Sequence, residues 1–501
     1  MVELHSPAQA AQWLRQHVTG ELRTDSRQVQ PGDGFIAWPG AATDGRRYIA
    51  QAFAQGASAC LMQREGSEPW QDQQPAERLA ALPQLKQTTG LVADAYYETP
   101  TRDLVVLAVT GTNGKTSTAC WLAQAMAHPA IGLRCGVVGT LGVGVWPELH
   151  YTGMTTPDPV LLQRSFHQML QAGVQLCAIE ASSIGIAEHR LDGTRIRTAV
   201  FTNFTQDHLD YHGSMAAYWA AKRQLFAWEG LRSAVINIDD PQGAALAGEL
   251  AGTGLDLWTC SRQQGARLRA WPLSSREGLS FELREGDAQC RIDTRLAGDY
   301  NIDNLLGVIG ALRAQGVALA QIAQACAQLE AVPGRMQRVL PAAGAGALPV
   351  TVVDYAHTPD ALTQALLALQ PLARERGGRL WCVFGCGGDR DPHKRPLMAA
   401  AAEQLADRLV LTSDNPRREA AADILAQMGA GLKHPQAVLV IEDRAQAIAQ
   451  AVRQAASADV VLVAGKGHET TQEIAGVFHP FSDAEQLRAA LASRAAQEVH
   501  A

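Results

Sequence analysis

The stretch "AVTGTNGKTSTA", residues 108–119, decides how the chain is read. It follows an apolar run at 104–109 with the composition of a buried strand, and it leads into 116–126, whose pattern predicts a helix. A Gly-rich turn between strand and helix lets successive backbone N–H groups point at a phosphate, and the helix adds the positive end of its dipole. Gly111, Thr112, Asn113, Gly114, Lys115, Thr116 and Ser117 are therefore candidate nucleotide-binding residues. Lys115 can reach the β- and γ-phosphates, and the Thr116 hydroxyl can bind magnesium. One spacing departs from G-x-x-x-x-G-K-[ST]. Val109 stands six residues before Lys115, so the loop is the shorter G-x-x-G-K-T. The plain alternative is a Gly-rich turn without a ligand. The order strand, Gly111, Gly114, Lys115, Thr116, helix favours a nucleotide. The N-K-x-D that reads guanine does not occur.

Outward from this loop the chain divides into three blocks. Residues 1–98 carry "TDSRQVQPGDGFIAW" and "YIAQAFAQGASACLM", a wording of short strands, turns and helices. Residues 99–333 hold the phosphate loop and further buried-strand runs at 177–179, 198–201 and 234–238. Residues 334–501 hold runs at 350–353, 380–384, 408–411, 438–441 and 460–463, separated by helical stretches. Strands alternating with helices predict mostly parallel sheets with both faces covered. The fold class expected is α/β in three domains: a central ATPase-like sheet between an N-terminal α/β domain and a C-terminal Rossmann-like domain. In such sheets ligands sit beyond the carboxyl ends of strands. The loose stretch "LPAAGAGALP", 340–349, is expected to be a surface loop.

A chain of 501 residues fits two or three cores. Its 19% charged and 47% hydrophobic residues fit a folded protein, and a net charge of −7 offers no basic footprint for nucleic acid. The nine cysteines form no Cys-x-x-Cys pair, which argues for reduced thiols over a zinc site or a disulfide framework. No membrane-length apolar run and no secretory leader is evident. These features predict a cytoplasmic protein that neither inserts into membranes nor binds nucleic acid.

Polar clusters recur after the apolar runs. Glu180 ends one run, and Asp207, His208, Asp210 and His212 follow another. A carboxylate and an imidazole near bound phosphates could complete magnesium coordination, although magnesium prefers oxygen. Lys222, in "YWAAKRQLF", reads by itself as a lysine on a solvated helix face. "TSDNPRR", 412–418, crowds an acid, an amide and a guanidinium at the end of the 408–411 run.

Taken in order, "GTNGKT", "IEASS", "FTNFTQDHLDYHG", "AAKRQLF", "LAGDYNIDNLL", "PGRMQRV", "DYAHTPDAL" and "FGCGGDRDPHKRPLM" resemble the Mur ligases, the ATP-dependent amino-acid ligases of peptidoglycan synthesis. "TSDNPR" and "GKGHE" are most similar to the branch that adds meso-2,6-diaminopimelate, with lysine addition as the alternative. The resemblance implies an ATP- and magnesium-dependent ligase. It would join diaminopimelate to the D-glutamate γ-carboxylate of UDP-N-acetylmuramoyl-L-alanyl-D-glutamate through an acyl phosphate. A monomer is expected.

The resemblance also implies residue roles. Lys115, Glu180, His208 and Lys222 would be catalytic. Thr116, Glu180, His208 and Lys222 would hold the metal, Lys222 as N6-carboxylysine. Asn301, Asn304, Arg335 and Asp354 would touch the nucleotide, and His357 shares the Asp354 loop. Ser26, Thr155, Thr156, Ser182, Glu188, Arg190 and Lys222 would bind the muramoyl dipeptide. Arg390, Asp414, Asn415, Arg417, Gly465 and Glu469 would bind diaminopimelate. Two positions depart from the family pattern: Ile184 stands where histidine is frequent, and Glu188 where some members have glutamine. An acid at position 188, beside an anionic substrate, needs an offsetting cation or a hydrogen bond.

Overall fold

The computed structural model describes residues 1–40, 43–72, 76–273, 278–340 and 347–499. Most of the expected loop at 340–349 therefore lies outside the described residues.

Three sheets follow one another along the chain. The first has five parallel strands in the order Val2–Glu3, Leu79–Leu82, Ala59–Gln63, Gly34–Ala37 and Leu22–Arg23. Helices Pro7–His17 and Leu85–Tyr96 pack on one face, and Ile49–Ala54 packs on the other.

The second sheet has eleven strands. Its middle is parallel, with Val105–Thr110 between Leu176–Glu180 and Ile196–Phe201. Both faces are buried, which accounts for the unbroken apolar runs. The strands Gly142–Val145 and Glu148–His150 at one end, and Leu279–Glu285 and Ala288–Thr294 at the other, are antiparallel additions. Helix Lys115–Ala127 is buried along nearly its whole length, and so has no solvated stripe by which sequence could place it on a surface.

The third sheet has six strands, in the order Gln337–Val339, Val350–Asp354, Val460–Ala464, Leu380–Phe384, Arg408–Leu411 and Leu439–Val440. The run at 438–441 shrinks to two exposed residues. It forms the sheet edge just after the turn Pro435–Ala437 and pairs on one side only. A hairpin that periodicity did not reveal, Thr471–Ile474 with Val477–Pro480, stands beyond Val460–Ala464.

Arg444 and Asp483 form an ion pair at 2.7 Å with both side chains fully buried. Arg444 also donates to the carbonyls of Ser413 (3.3 Å) and Ala464 (2.8 Å), tying the ends of two strands together under the loops that follow them. Removing one member of such a pair strands the other charge in the core. Asp483→Ala is expected to cost about 3–5 kcal/mol in chemical denaturation monitored at the third sheet.

Candidate active site

Val105–Thr110 delivers the phosphate loop at its carboxyl end, and the loop is held from below by the neighbouring strand end. The Thr112 amide donates to the Asn203 carbonyl at 2.8 Å, and the Asn113 amide donates to Asn203 Oδ1 at 2.9 Å. Gly114 has φ 87°, and a Cβ there would collide with the Asn304 side chain. Asn304 in turn donates to Asn301 Oδ1, and Asn301 donates to the Ala297 carbonyl. The two asparagines thus brace the loop. Ser117 is buried in the first turn of the following helix.

Two ammonium groups converge on one oxygen. Lys115 Nζ donates to the carbonyls of Gly111 (2.9 Å) and Thr112 (2.8 Å), and Lys222 Nζ donates to the Gly111 carbonyl at 2.6 Å. Lys222 is 1% exposed and lies 4.5 Å over the Tyr218 ring, so the solvated-face reading does not hold. Helix Met215–Arg223, capped by Ser214, turns this face inward. Burial and the Lys115 charge pull the Lys222 ammonium well below the usual lysine range; burial also lowers Lys115.

Beside them Thr116 Oγ1 donates to Glu180 Oε2 at 2.9 Å. Glu180 also accepts the Thr140 amide (2.7 Å) and hydroxyl (3.2 Å). Thr140 meets Thr155 through their hydroxyls, and Thr156 bonds both the Glu180 carbonyl and Ser182. Arg190 donates to the Thr156 carbonyl at 2.9 Å. Among the described residues no three His, Cys, Asp or Glu side chains converge on a metal position. The candidate ligand set therefore depends on Thr116 and Lys222 as well as Glu180 and His208.

The third sheet closes over this site. Arg335 donates to Thr116 Oγ1 at 3.1 Å and stacks 4.1 Å over Tyr355. Asp354 is occupied by the amides of Met336 and Ala356. Asp207 lies 3.5 Å from His208, 3.7 Å from His357 and 3.8 Å from Lys394. Burial alone would raise the Asp207 carboxyl, but its neighbours, His357 first and then His208 and Lys394, hold it well below the usual range.

A cavity of about 330 Å³ spans this junction. Its walls include Thr155 and His208 from the second sheet and Arg390, Asp414, Asn415, Arg417, Gly465 and Glu469 from the third. Gly465, φ 115°, admits the Asp414 carboxylate where a Cβ would collide. Arg417 is held in a left-handed conformation (φ 52°) by hydrogen bonds to Glu473 and Ala475 of the hairpin. Its guanidinium donates to the Gly388 carbonyl at 2.7 Å and approaches Glu473 at 3.3 Å, so part of the fork is already engaged.

Ser26 is not in this cavity. It lies in the first unit, bonded to Gln51, on a turn capped by Asp25. Glu188 has the partners its position demands: Lys86 at 2.8 Å from the first unit, and the Tyr211 hydroxyl. Burial would raise its carboxyl, but these two partners and Arg190 bring it below the usual range. Ile184 is half-buried on the short helix Ser183–Ala187. The structure adds Thr140, Asn203, Tyr218, Lys394, Lys466 and His468, whose parts depend on neighbours distant in sequence.

Comparison with known proteins gives three family matches in register. The Mur ligase family catalytic domain matches residues 20–93, the Mur ligase middle domain 109–312, and the Mur ligase glutamate ligase domain 334–467. A protein of Acidovorax sp. (strain JS42), named UDP-N-acetylmuramoyl-L-alanyl-D-glutamate--2,6-diaminopimelate ligase, is 59% identical over 97% of each chain. A Pseudomonas aeruginosa protein of the same name is 45% identical over 94% of this chain and 95% of its own. A solved structure of an enzyme of that name is 35% identical, covers 95% of both chains and gives a TM-score of 0.62. The Thermotoga maritima MurF ligase in complex with ADP, 16% identical over 96% and 99%, shares the fold with a TM-score of 0.67.

His208 and His468 are both pushed down to about 3, chiefly by burial. Each stays neutral in the folded protein while the unfolded chain takes up protons below its ordinary value near 6.5. Their contribution to stability is therefore present above pH 6.5 and lost as pH falls toward 3. Imidazole NMR titration is expected to show neither ring protonating between pH 7 and 5.

Proposed function

The chain belongs to the Mur ligase family, and from that premise we propose that it attaches meso-2,6-diaminopimelate to UDP-N-acetylmuramoyl-L-alanyl-D-glutamate at the expense of ATP. The observation that carries the reading is the convergence of Lys115, Lys222, Thr116 and Glu180 at the phosphate loop, capped by Arg335 from the third sheet. Charge neutralisation and positioning are what phosphoryl transfer requires.

In this reading an oxygen of the D-glutamate γ-carboxylate attacks the γ-phosphorus of ATP, and ADP leaves. The amine of diaminopimelate then adds to the acyl carbon, loses a proton, and phosphate departs with the C–O bonding pair. Lys115 and the loop amides hold the transferring phosphoryl group. Arg335 brings positive charge as the third sheet closes. The muramoyl dipeptide lies along Thr155, Thr156, Ser182 and Arg190, with Glu188 kept anionic by Lys86. Ser26 would meet the uridine end in the first unit, and the three domains are read with limits at 98/99 and 333/334.

Magnesium fits the donors present. Thr116 and Glu180 supply hard oxygens within 2.9 Å of each other, and His208 is a neutral imidazole. With Lys222 as its carbamate these residues would hold the ion, which would neutralise phosphate charge. The low proton affinity of Lys222 favours the free amine that forms an N–C bond with carbon dioxide and releases a proton. The reading extends to a cytoplasmic monomer; among the described residues no helix is long and apolar enough to cross a membrane.

Lysine as the added amino acid would use the same nucleotide site. Arg390 and Arg417, both at the cavity, favour a substrate with a distal carboxylate, which lysine lacks. An assay offering meso-diaminopimelate, L-lysine and L-ornithine in parallel, with mass detection of the product, is expected to show diaminopimelate incorporation; preferred lysine incorporation would sink the assignment. Arg417→Ala is expected to weaken diaminopimelate use roughly a hundredfold while sparing the KM for ATP. Lys222→Ala is expected to lower kcat by at least about a thousandfold without rescue by bicarbonate, and a rate near wild type would refute the carbamate role.

A further inference from the structure

Lys466 lies beneath the amino-acid end of the cavity with its side chain fully buried. Its ammonium donates to Asn415 Oδ1 at 2.9 Å and to Glu469 Oε2 at 2.8 Å. An ammonium has donors only, so the Asn415 amide must turn its oxygen toward it. The Glu473 amide, donating to the same oxygen at 3.0 Å, demands the same orientation. Asn415 Nδ2 is thereby turned the other way, and donates to Glu469 Oε2 at 2.8 Å. One N–H of Asn415 is left over, and among the described residues Glu469 Oε1 has no partner. Both residues line the cavity, as do Arg390 and Arg417. A donor and an acceptor thus stand side by side, complementary to a carboxylate and an ammonium carried on one carbon.

We propose that Lys466 is a positioning residue that sets the polarity of this pocket: it holds Asn415 as a donor and Glu469 as an acceptor toward the distal amino-acid head group of the substrate. The proposal rests on the diaminopimelate reading. Without the ammonium, the two ends of the Asn415 amide lose one of the two donors that distinguish them, and Glu469 loses its countercharge. The Lys466–Glu469 pair is also neutral as a unit, which suits a zwitterionic guest.

The test uses the full-length enzyme with ATP and the UDP-muramoyl dipeptide. Wild type, Lys466→Met and Lys466→Gln are compared on meso-diaminopimelate, L-lysine (no distal carboxylate) and 2-aminopimelate (no distal ammonium). Wild type is expected to use both analogues at least about tenfold less well than diaminopimelate. Lys466→Met is expected to raise the KM for diaminopimelate at least about tenfold and to narrow its advantage over both analogues, with the KM values for ATP and the dipeptide within about twofold. Lys466→Gln, which keeps a neutral donor, is expected to fall between. An unchanged diaminopimelate KM in Lys466→Met overturns the proposal. So does a parallel rise in all three KM values with a lowered Tm, the mark of a purely structural residue. If the variants do not fold, wild type decides: 2-aminopimelate used as well as diaminopimelate removes the acceptor role of Glu469. A wild type that rejects diaminopimelate overturns the functional reading itself.

Discussion

Lys115 and Lys222 place their ammonium groups against a single carbonyl oxygen, that of Gly111, and the Lys222 side chain is buried. Like charges at such range in a poorly solvated site repel strongly, and burial adds the cost of desolvating each. An anionic guest relieves the strain, as does loss of a proton from Lys222. Much of the surrounding site can be understood from this excess of positive charge. Glu180 supplies an offsetting carboxylate through Thr116 and Thr140, and Asp207 supplies another where the third sheet arrives.

The junction between the second and third sheets carries many polar contacts beside the apolar packing of Tyr300 against the third core, which suits surfaces that must also admit substrates. Arg335 reaches Thr116, His357 and Lys394 approach Asp207, and Asn113 meets Asp360. All of these residues but Arg335 stand on loops or first helical turns that follow carboxyl-terminal strand ends. The parallel arrangement places these ends on one side of each sheet, as doubly wound folds require. Beneath the third sheet the buried Arg444–Asp483 pair holds the Ser413 and Ala464 carbonyls. The loops carrying Asp414 and Gly465 therefore start from fixed positions, and the close approach of Asp414 to Gly465 follows.

The strands of the second and third sheets were legible because burial on both faces leaves continuous apolar runs; Leu380–Phe384 and Arg408–Leu411 match the sequence reading residue for residue. The apolar run at 438–441 is longer than the strand Leu439–Val440 because an edge strand owes its extent to pairing that composition does not record. The hairpin at 471–480, whose last strand is exposed at every residue, carries no such run. Within the site, the phosphate loop was legible from local spacing alone. Lys222 was not: a helix face is solvated or buried according to what packs on it, and here Tyr218 and the Gly111 carbonyl enclose the ammonium.

Sequence by itself determined the α/β class, the phosphate loop, and the family resemblance that the comparisons bear out, since each rests on short-range order of residue types. Tertiary structure alone decided which charges meet. Glu188 acquires Lys86 from another unit, and Asn415 acquires an orientation from Lys466, fifty-one residues away. The physical reason is that electrostatic and hydrogen-bond partners are chosen by distance in space and by the dielectric around them. Neither is encoded by spacing along the chain.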